Sequence, residues 1–174
     1  VTTTLNGGYG SKVVVQGAGF FMNNEMDDFS IKPGVPNMYG VIGGKANAIA
    51  PYKRMLSSMT PSIVEKNNKL LMVVGTPGGS TIITSVFQTI LNVIEHGMTM
   101  QEAVSAKRFH HQWTPDAIIA EENAFSETTN ASLEKKGHTI NVVKGIGRVD
   151  AILIKKKRKE GGADPRGDDT AIGY

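Results

Sequence analysis

Leu70-Leu71-Met72-Val73-Val74-Gly75-Thr76-Pro77-Gly78-Gly79-Ser80-Thr81-Ile82-Ile83 is the stretch that decides how this chain folds. Leu70 to Val74 is nearly all apolar, as expected of a strand buried in the middle of a sheet. Glycine and proline interrupt it, and a helix follows in which Ile82, Ile83, Val86, Phe87, Ile90, Leu91 and Ile94 fall at helical spacing on one face. Gly97 is placed to end that helix. At the Gly78-Gly79-Ser80 junction, adjacent glycines allow close backbone approach. A helix start also leaves unpaired N–H groups at a positive dipole end. Such a place suits an anion or a developing oxyanion, and it equally suits a tight, well-packed strand-to-helix turn.

Upstream, Ser62 to Glu65 reads as the partner strand of a hairpin turning at Lys66-Asn67-Asn68-Lys69. Val1 to Leu5 is β-branched and predicts a strand, with Asn6-Gly7-Gly8 turning the chain. Val13 to Gln16 and Gly19 to Met22 predict two more. Lys32 to Pro51 is glycine-rich with no sustained period, so it predicts a long irregular loop of the kind that forms a lid or stays disordered.

Downstream, Thr99 and Glu102 make a capping-box pattern for a helix from Met100 to about Lys107. Ser126 can cap a third helix that ends at Gly137, with Leu133 as its apolar contact. Thr139 to Val143 and Val149 to Ile154 predict late strands. Strands, packed helices, then strands predict a layered mixed α/β (α+β) fold. At 174 residues, one domain is expected over 1–174.

Composition narrows the function. Apolar residues are 40% and charged residues 20%, which separates the chain from disordered polymers. The formal charge of +3 comes from the run Lys155-Lys156-Lys157-Arg158-Lys159. No aromatic residues interleave with that run, so it reads as a solvated turn or strand end and no nucleic-acid partner is expected. No apolar window is long enough for a membrane span. Without cysteine there is no disulfide or thiolate chemistry, which fits the periplasm and the cytosol alike.

Glu25, Asp27 and Asp28 place three carboxylates within four residues. They suit an ammonium group, a hard metal or a solvated turn, but calcium-loop spacing is missing. Ser57-Ser58 offers hydroxyls to a carboxylate, or is an ordinary loop pair. His110 and His111 lack metal-ligand spacing and read as packed, hydrogen-bonded histidines. Walker, dinucleotide and GxSxG patterns are absent, and no cofactor or metal is expected.

Taken in order, Thr4-Leu5-Asn6, Asn23-Asn24-Glu25-Met26-Asp27-Asp28-Phe29, Leu56-Ser57-Ser58-Met59, Pro77-Gly78-Gly79-Ser80, Arg108-Phe109-His110 and Asp164-Pro165-Arg166 closely resemble the small subunit of γ-glutamyltransferases. The resemblance runs from end to end. It implies an N-terminal-nucleophile αββα sandwich shared with a large subunit that is released when a precursor cleaves itself. It also implies a threonine nucleophile that takes the γ-glutamyl group of glutathione or a related amide and passes it to water, an amino acid or a peptide.

Carried over by position, the resemblance gives Thr4 the task of orienting that nucleophile, and Gly78 and Gly79 the oxyanion-hole N–H groups. Asn6, Glu25 and Asp28 would hold the substrate's α-ammonium end, and Ser57 and Ser58 its α-carboxylate. Tyr39 matches the lid tyrosine, on a lid loop at about 33–44. The family's Thr-Thr-His-Tyr start would lie upstream of Val1, so this chain alone is expected to be inactive. Periplasmic or secreted location is the family's. Departures are Met55 where proline is usual and Thr81 where arginine is common. Alternatives within the fold are a cephalosporin acylase or a poly-γ-glutamate enzyme; outside enzymology, a binding or structural fragment.

Overall fold

Asn67 and Asn68, at φ 53° and 59°, make the two-residue turn joining β1 (Ser62–Lys66) to β2 (Lys69–Gly75). Asparagine tolerates this left-handed backbone, and the turn's twist matches that of the strands it joins. The hairpin lies where the sequence predicts it. The structure is a computed structural model and describes residues 2–156 and 158–173. They gather into two compact units that divide after Ser58.

In the second unit, β2 lies between β1 and β6 (Asp150–Lys155), and β7 (Arg158–Gly162) completes an antiparallel sheet in the order β1-β2-β6-β7. Helices α1 (Ile82–Ile94) and α2 (Met100–Ser105) cover one face. Met72, Val74, Ala151 and Leu153 meet Ile82, Val86, Met100, Ala103 and Val104 there. Each large apolar side chain so buried contributes about 1.5–3 kcal/mol.

Two expectations about this core need correction. β2 is central in pairing but not buried on both faces, because Leu70 and Val73 remain 44% and 42% exposed. Val73 sits in register with Ile63 and Ile152 on the face the helices leave open. On α1 the buried positions are Ile82, Ser85, Val86 and Thr89, whereas Ile83, Phe87 and Ile94 are exposed. The predicted apolar set spans about half the helix circumference. The sheet takes one edge of that arc, where small Ser85 and Thr89 permit close approach.

α2 carries both halves of its capping box: the Thr99 N–H donates to Glu102 Oε2 at 2.8 Å and the Glu102 N–H to Thr99 Oγ1 at 3.3 Å. It ends at Ser105, short of the expected Lys107. A three-stranded sheet follows, with β3 (Phe109–His110) antiparallel to β4 (Ile118–Glu121) and β4 parallel to β5 (Ile140–Val143). The parallel pair is connected through α3 (Glu127–Lys135), capped by Ser126 as predicted. β3, β4 and β7 were not expected. β7 is polar with two glycines, and pairing with β6 makes it a strand. The basic run is the β6–β7 turn, with Lys157 outside the described residues.

The first unit is held by turns and isolated bridges. The strands expected at Val13 to Gln16 and Gly19 to Met22 reduce to one antiparallel bridge between Val14 and Phe21. The strand expected from Val1 to Leu5 is absent over Thr2–Leu5, with Val1 outside the described residues. An extended segment becomes a strand only through a ladder, and the Asn24 N–H donating to Leu5 O at 3.2 Å is a single rung. The stretch 32–51 is irregular as predicted, apart from a 3₁₀ turn at Lys45–Asn47 and isolated bridges of Pro36 with Ile42 and of Ala48 with Ser30.

Candidate active site

The first unit brings together most of the polar residues singled out above. Asn6 adopts φ 72°, and its N–H donates to Thr4 Oγ1 at 2.8 Å. The Asn6 Nδ2 group donates to Asn24 O at 3.4 Å, and Asn24 Oδ1 accepts from the Gly7 N–H at 2.8 Å. Asn24 thus ties the Thr4–Gly7 segment to the acidic 3₁₀ turn Glu25–Asp28.

Two carboxylates of that turn have separate partners. Asp27 Oδ2 accepts from the Met38 N–H at 2.9 Å, and Asp28 Oδ2 accepts from the Ser58 hydroxyl at 2.7 Å. Among the described residues no group of three acidic or histidine side chains is placed to hold a metal ion. Asn47 sets the second link: its Nδ2 donates to Asp28 O at 2.7 Å and its Oδ1 accepts from the Leu56 N–H at 2.9 Å. It thereby brings the Ser57-Ser58 segment to the acidic turn. Sequence reasoning missed Asn24 and Asn47. An asparagine beside an acidic turn, and another within a glycine-rich loop, were the available signals.

Tyr39 lies at the tip of a turn in which Asn37 Oδ1 accepts from both the Tyr39 and Val41 N–H groups at 3.0 Å. Its hydroxyl donates to Asn6 O at 3.1 Å. Burial raises its pKa, and the charges of Asp28 and then Asp27 add to that. Tyr39 therefore stays a neutral donor above its ordinary range.

In the second unit, Gly78 and Gly79 sit where β2 gives way to α1, through a 3₁₀ turn Gly79–Thr81. Gly78 has φ 150°, and a Cβ there would lie 2.7 Å from Thr81 Oγ1 and 3.3 Å from the Gly147 Cα. Both the conformation and the space demand glycine. No hydrogen bond among the described residues takes up the Gly78 or Gly79 N–H. Two donors with nothing to satisfy them, at the start of a helix, form the chemical requirement of an oxyanion site.

Behind this turn lies a buried ionic cluster that the sequence reading quoted only as motifs. Arg108 pairs with Asp164 at 2.9 Å, and Arg166 pairs with Asp164 at 3.0 Å and with Glu121 at 2.5 Å. Burial pushes the Glu121 and Asp164 carboxyls up. Hydrogen bonds outweigh it: from Arg166 and the Ile146 and Arg108 N–H groups to Glu121, and from the Arg166 and Val149 N–H groups to Asp164. Both stay below the usual carboxylate range. Glu121 was not read from the sequence at all, because the strand it ends, β4, was not expected. His110 is buried against Thr84 at 2.8 Å as expected, whereas His111 is exposed beside Asp116, so both are hydrogen-bonded but only His110 is packed.

One unit carries a strand-to-helix glycine pair with open N–H donors, and the other links acidic and hydroxyl side chains through Asp28 and Ser58; groups of these kinds suit acyl transfer. The γ-glutamyltranspeptidase family profile matches residues 1–174, and the chain belongs to that family. It is 47% identical to the glutathione hydrolase proenzyme of Escherichia coli strain K12 over all of this chain and 30% of that protein. The chain thus spans about 30% of the length of that curated relative. A crystal structure of a Helicobacter pylori γ-glutamyltranspeptidase mutant is 53% identical with TM-score 0.92, covering 96% of this chain and 92% of that one. The Pseudomonas nitroreducens enzyme complexed with L-DON is 46% identical with TM-score 0.92, covering 100% and 92%. The fold is accordingly the mixed helix-and-strand sandwich expected from sequence.

Proposed function

We propose that the protein containing this chain is a γ-glutamyl transferase and hydrolase acting on glutathione or related γ-glutamyl amides. The Ser58 hydroxyl on Asp28 at 2.7 Å carries the reading. A glutamyl head bears its ammonium and carboxylate on one carbon, so the groups that hold them must adjoin. Asp28, with Glu25 and Asn6, takes the ammonium; Ser57 and Ser58 take the carboxylate.

The nucleophile is a threonine upstream of Val1, oriented by Thr4. Its hydroxyl oxygen attacks the γ-carbonyl while its α-amino group accepts the proton. Charge then develops on the carbonyl oxygen, which the Gly78 and Gly79 N–H groups stabilise. The leaving amine departs with that proton and a γ-glutamyl ester remains. Water or an acceptor amine cleaves the ester and restores the hydroxyl. The large subunit of the same precursor is the partner, and Tyr39 with its loop limits the entry of water.

Mass spectrometry of the processed full-length protein, quenched during turnover of γ-glutamyl-p-nitroanilide, tests this. A γ-glutamyl adduct on a threonine at the start of the small subunit is expected; steady turnover with no adduct on any threonine, or an adduct on another residue type, contradicts it.

A further inference from the structure

Gly78 and Gly79 are the two donors, but the backbone freedom of glycine lets the peptides that carry their N–H groups, Pro77–Gly78 and Gly78–Gly79, flip. Something must hold the N–H groups in one direction. In a planar trans peptide the C=O and N–H point oppositely, so anchoring the carbonyl aims the amide. The Pro77 carbonyl shares a peptide with the Gly78 N–H, and the Gly78 carbonyl shares one with the Gly79 N–H.

Both carbonyls are anchored by threonine hydroxyls. Thr76 Oγ1 donates to Pro77 O at 2.7 Å, and Thr81 Oγ1 donates to Gly78 O at 2.9 Å. The Thr81 N–H adds a bond to Gly78 O at 3.1 Å. Thr76 Oγ1 accepts from the Arg148 N–H at 2.8 Å, which leaves its own proton for Pro77. Gly147, at φ 67°, backs this contact; a Cβ there would lie 3.0 Å from Thr76 Oγ1 and 3.4 Å from Pro77 O. The 146–149 loop is fastened at both ends, by Glu121 Oε1 on the Ile146 N–H at 2.7 Å and Asp164 Oδ2 on the Val149 N–H at 2.6 Å.

We infer that Thr76 and Thr81 are positioning residues, each aiming one of the two glycine N–H donors at the developing oxyanion. The inference rests on the reading of those donors given under the proposed function. It requires the hydroxyls and not merely the shape of threonine. Valine matches that shape without donating, and serine donates without the methyl.

The test uses the processed full-length protein and γ-glutamyl-p-nitroanilide. Removing an oxyanion donor outright costs about 10²–10³ in kcat, and a misaimed one should lose part of that. Thr76→Val and Thr81→Val are each expected to lower kcat by about 10- to 100-fold, with KM within about twofold. Thr76→Ser and Thr81→Ser should restore most of the rate. Thr81→Val is the safer of the two, because Thr76 also serves the Arg148 N–H.

If the unsubstituted protein turns over and the valine variants match it, the inference is overturned while the functional reading stands. Valine and serine variants that lose rate equally overturn it too, since shape would then suffice. If the unsubstituted protein shows no γ-glutamyl turnover, the functional reading fails, and a crystal structure of Thr81→Val decides the positioning claim. A rotated Gly78–Gly79 peptide supports it; an unchanged one overturns it.

Discussion

The Tyr39 hydroxyl donates to the Asn6 carbonyl oxygen at 3.1 Å, so the tip of the 33–44 loop rests on a residue assigned to the substrate's ammonium end. A neutral hydrogen bond of this kind contributes about 0.5–1.5 kcal/mol. That is enough to bias a loop between open and closed, and too little to lock it.

Tyr39→Phe keeps the ring and removes the donor. It should lower the ratio of transfer to hydrolysis by about two- to tenfold, measured by following glutamate and γ-glutamyl-dipeptide release together. In the unsubstituted protein the bond is present while the phenol is neutral. Burial and the nearby Asp28 and Asp27 charges raise the pKa, so the contribution of Tyr39 to that ratio should persist above pH 10.0, the ordinary tyrosine value.

Ser58→Ala removes the donor to Asp28 and one hydroxyl assigned to the substrate carboxylate. KM for γ-glutamyl donors should rise about tenfold, equivalent to about 1.4 kcal/mol, with kcat changed less. Asp28→Asn should act more strongly, because it removes the charge proposed to face the substrate's ammonium. Initial-rate kinetics on the processed protein check both.

Much of this was legible in the sequence, for identifiable reasons. The Asn67-Asn68 hairpin, the Thr99–Glu102 capping box and the Ser126 cap are local chemistry, and the structure has all three. Thr2–Leu5 has strand composition but no ladder, and β7 has a ladder without strand composition. Pairing is non-local, so neither could be read from its own residues. The proposed site residues could be named from their motifs, whereas the residues that support them could not. Asn24, Asn47, Thr76 and Glu121 are common residues whose meaning comes from partners up to tens of positions away.

Gly78→Ala places a Cβ 2.7 Å from Thr81 Oγ1 at a backbone φ of 150°. The turn must shift, and with it both N–H donors. The expected result is a loss of about 100-fold or more in kcat, with the small subunit still folded by circular dichroism.

Glu121→Gln removes one of the two buried carboxylates paired with Arg166, and breaking a buried pair costs about 3–5 kcal/mol. The melting temperature should fall at neutral pH. The pH dependence follows from the sign of the shift. Glu121 and Asp164 lie below their ordinary values of 4.5 and 3.8, so their stabilisation is full above those values and is lost as pH falls through the lower folded ones. Thermal melts from pH 7 downward should therefore hold level to about pH 5 and then decline, with a smaller decline in Glu121→Gln.

Asp28 and Ser58 are proposed to recognise a free glutamyl head. Comparing kcat/KM of the processed full-length protein on γ-glutamyl-p-nitroanilide and on glutaryl-p-nitroanilide, which lacks the α-ammonium, tests it most directly. A preference of about 100-fold or more for the γ-glutamyl compound, largely abolished in Asp28→Asn, is the predicted result. Equal use of the two substrates would contradict it and favour an acylase of the same fold.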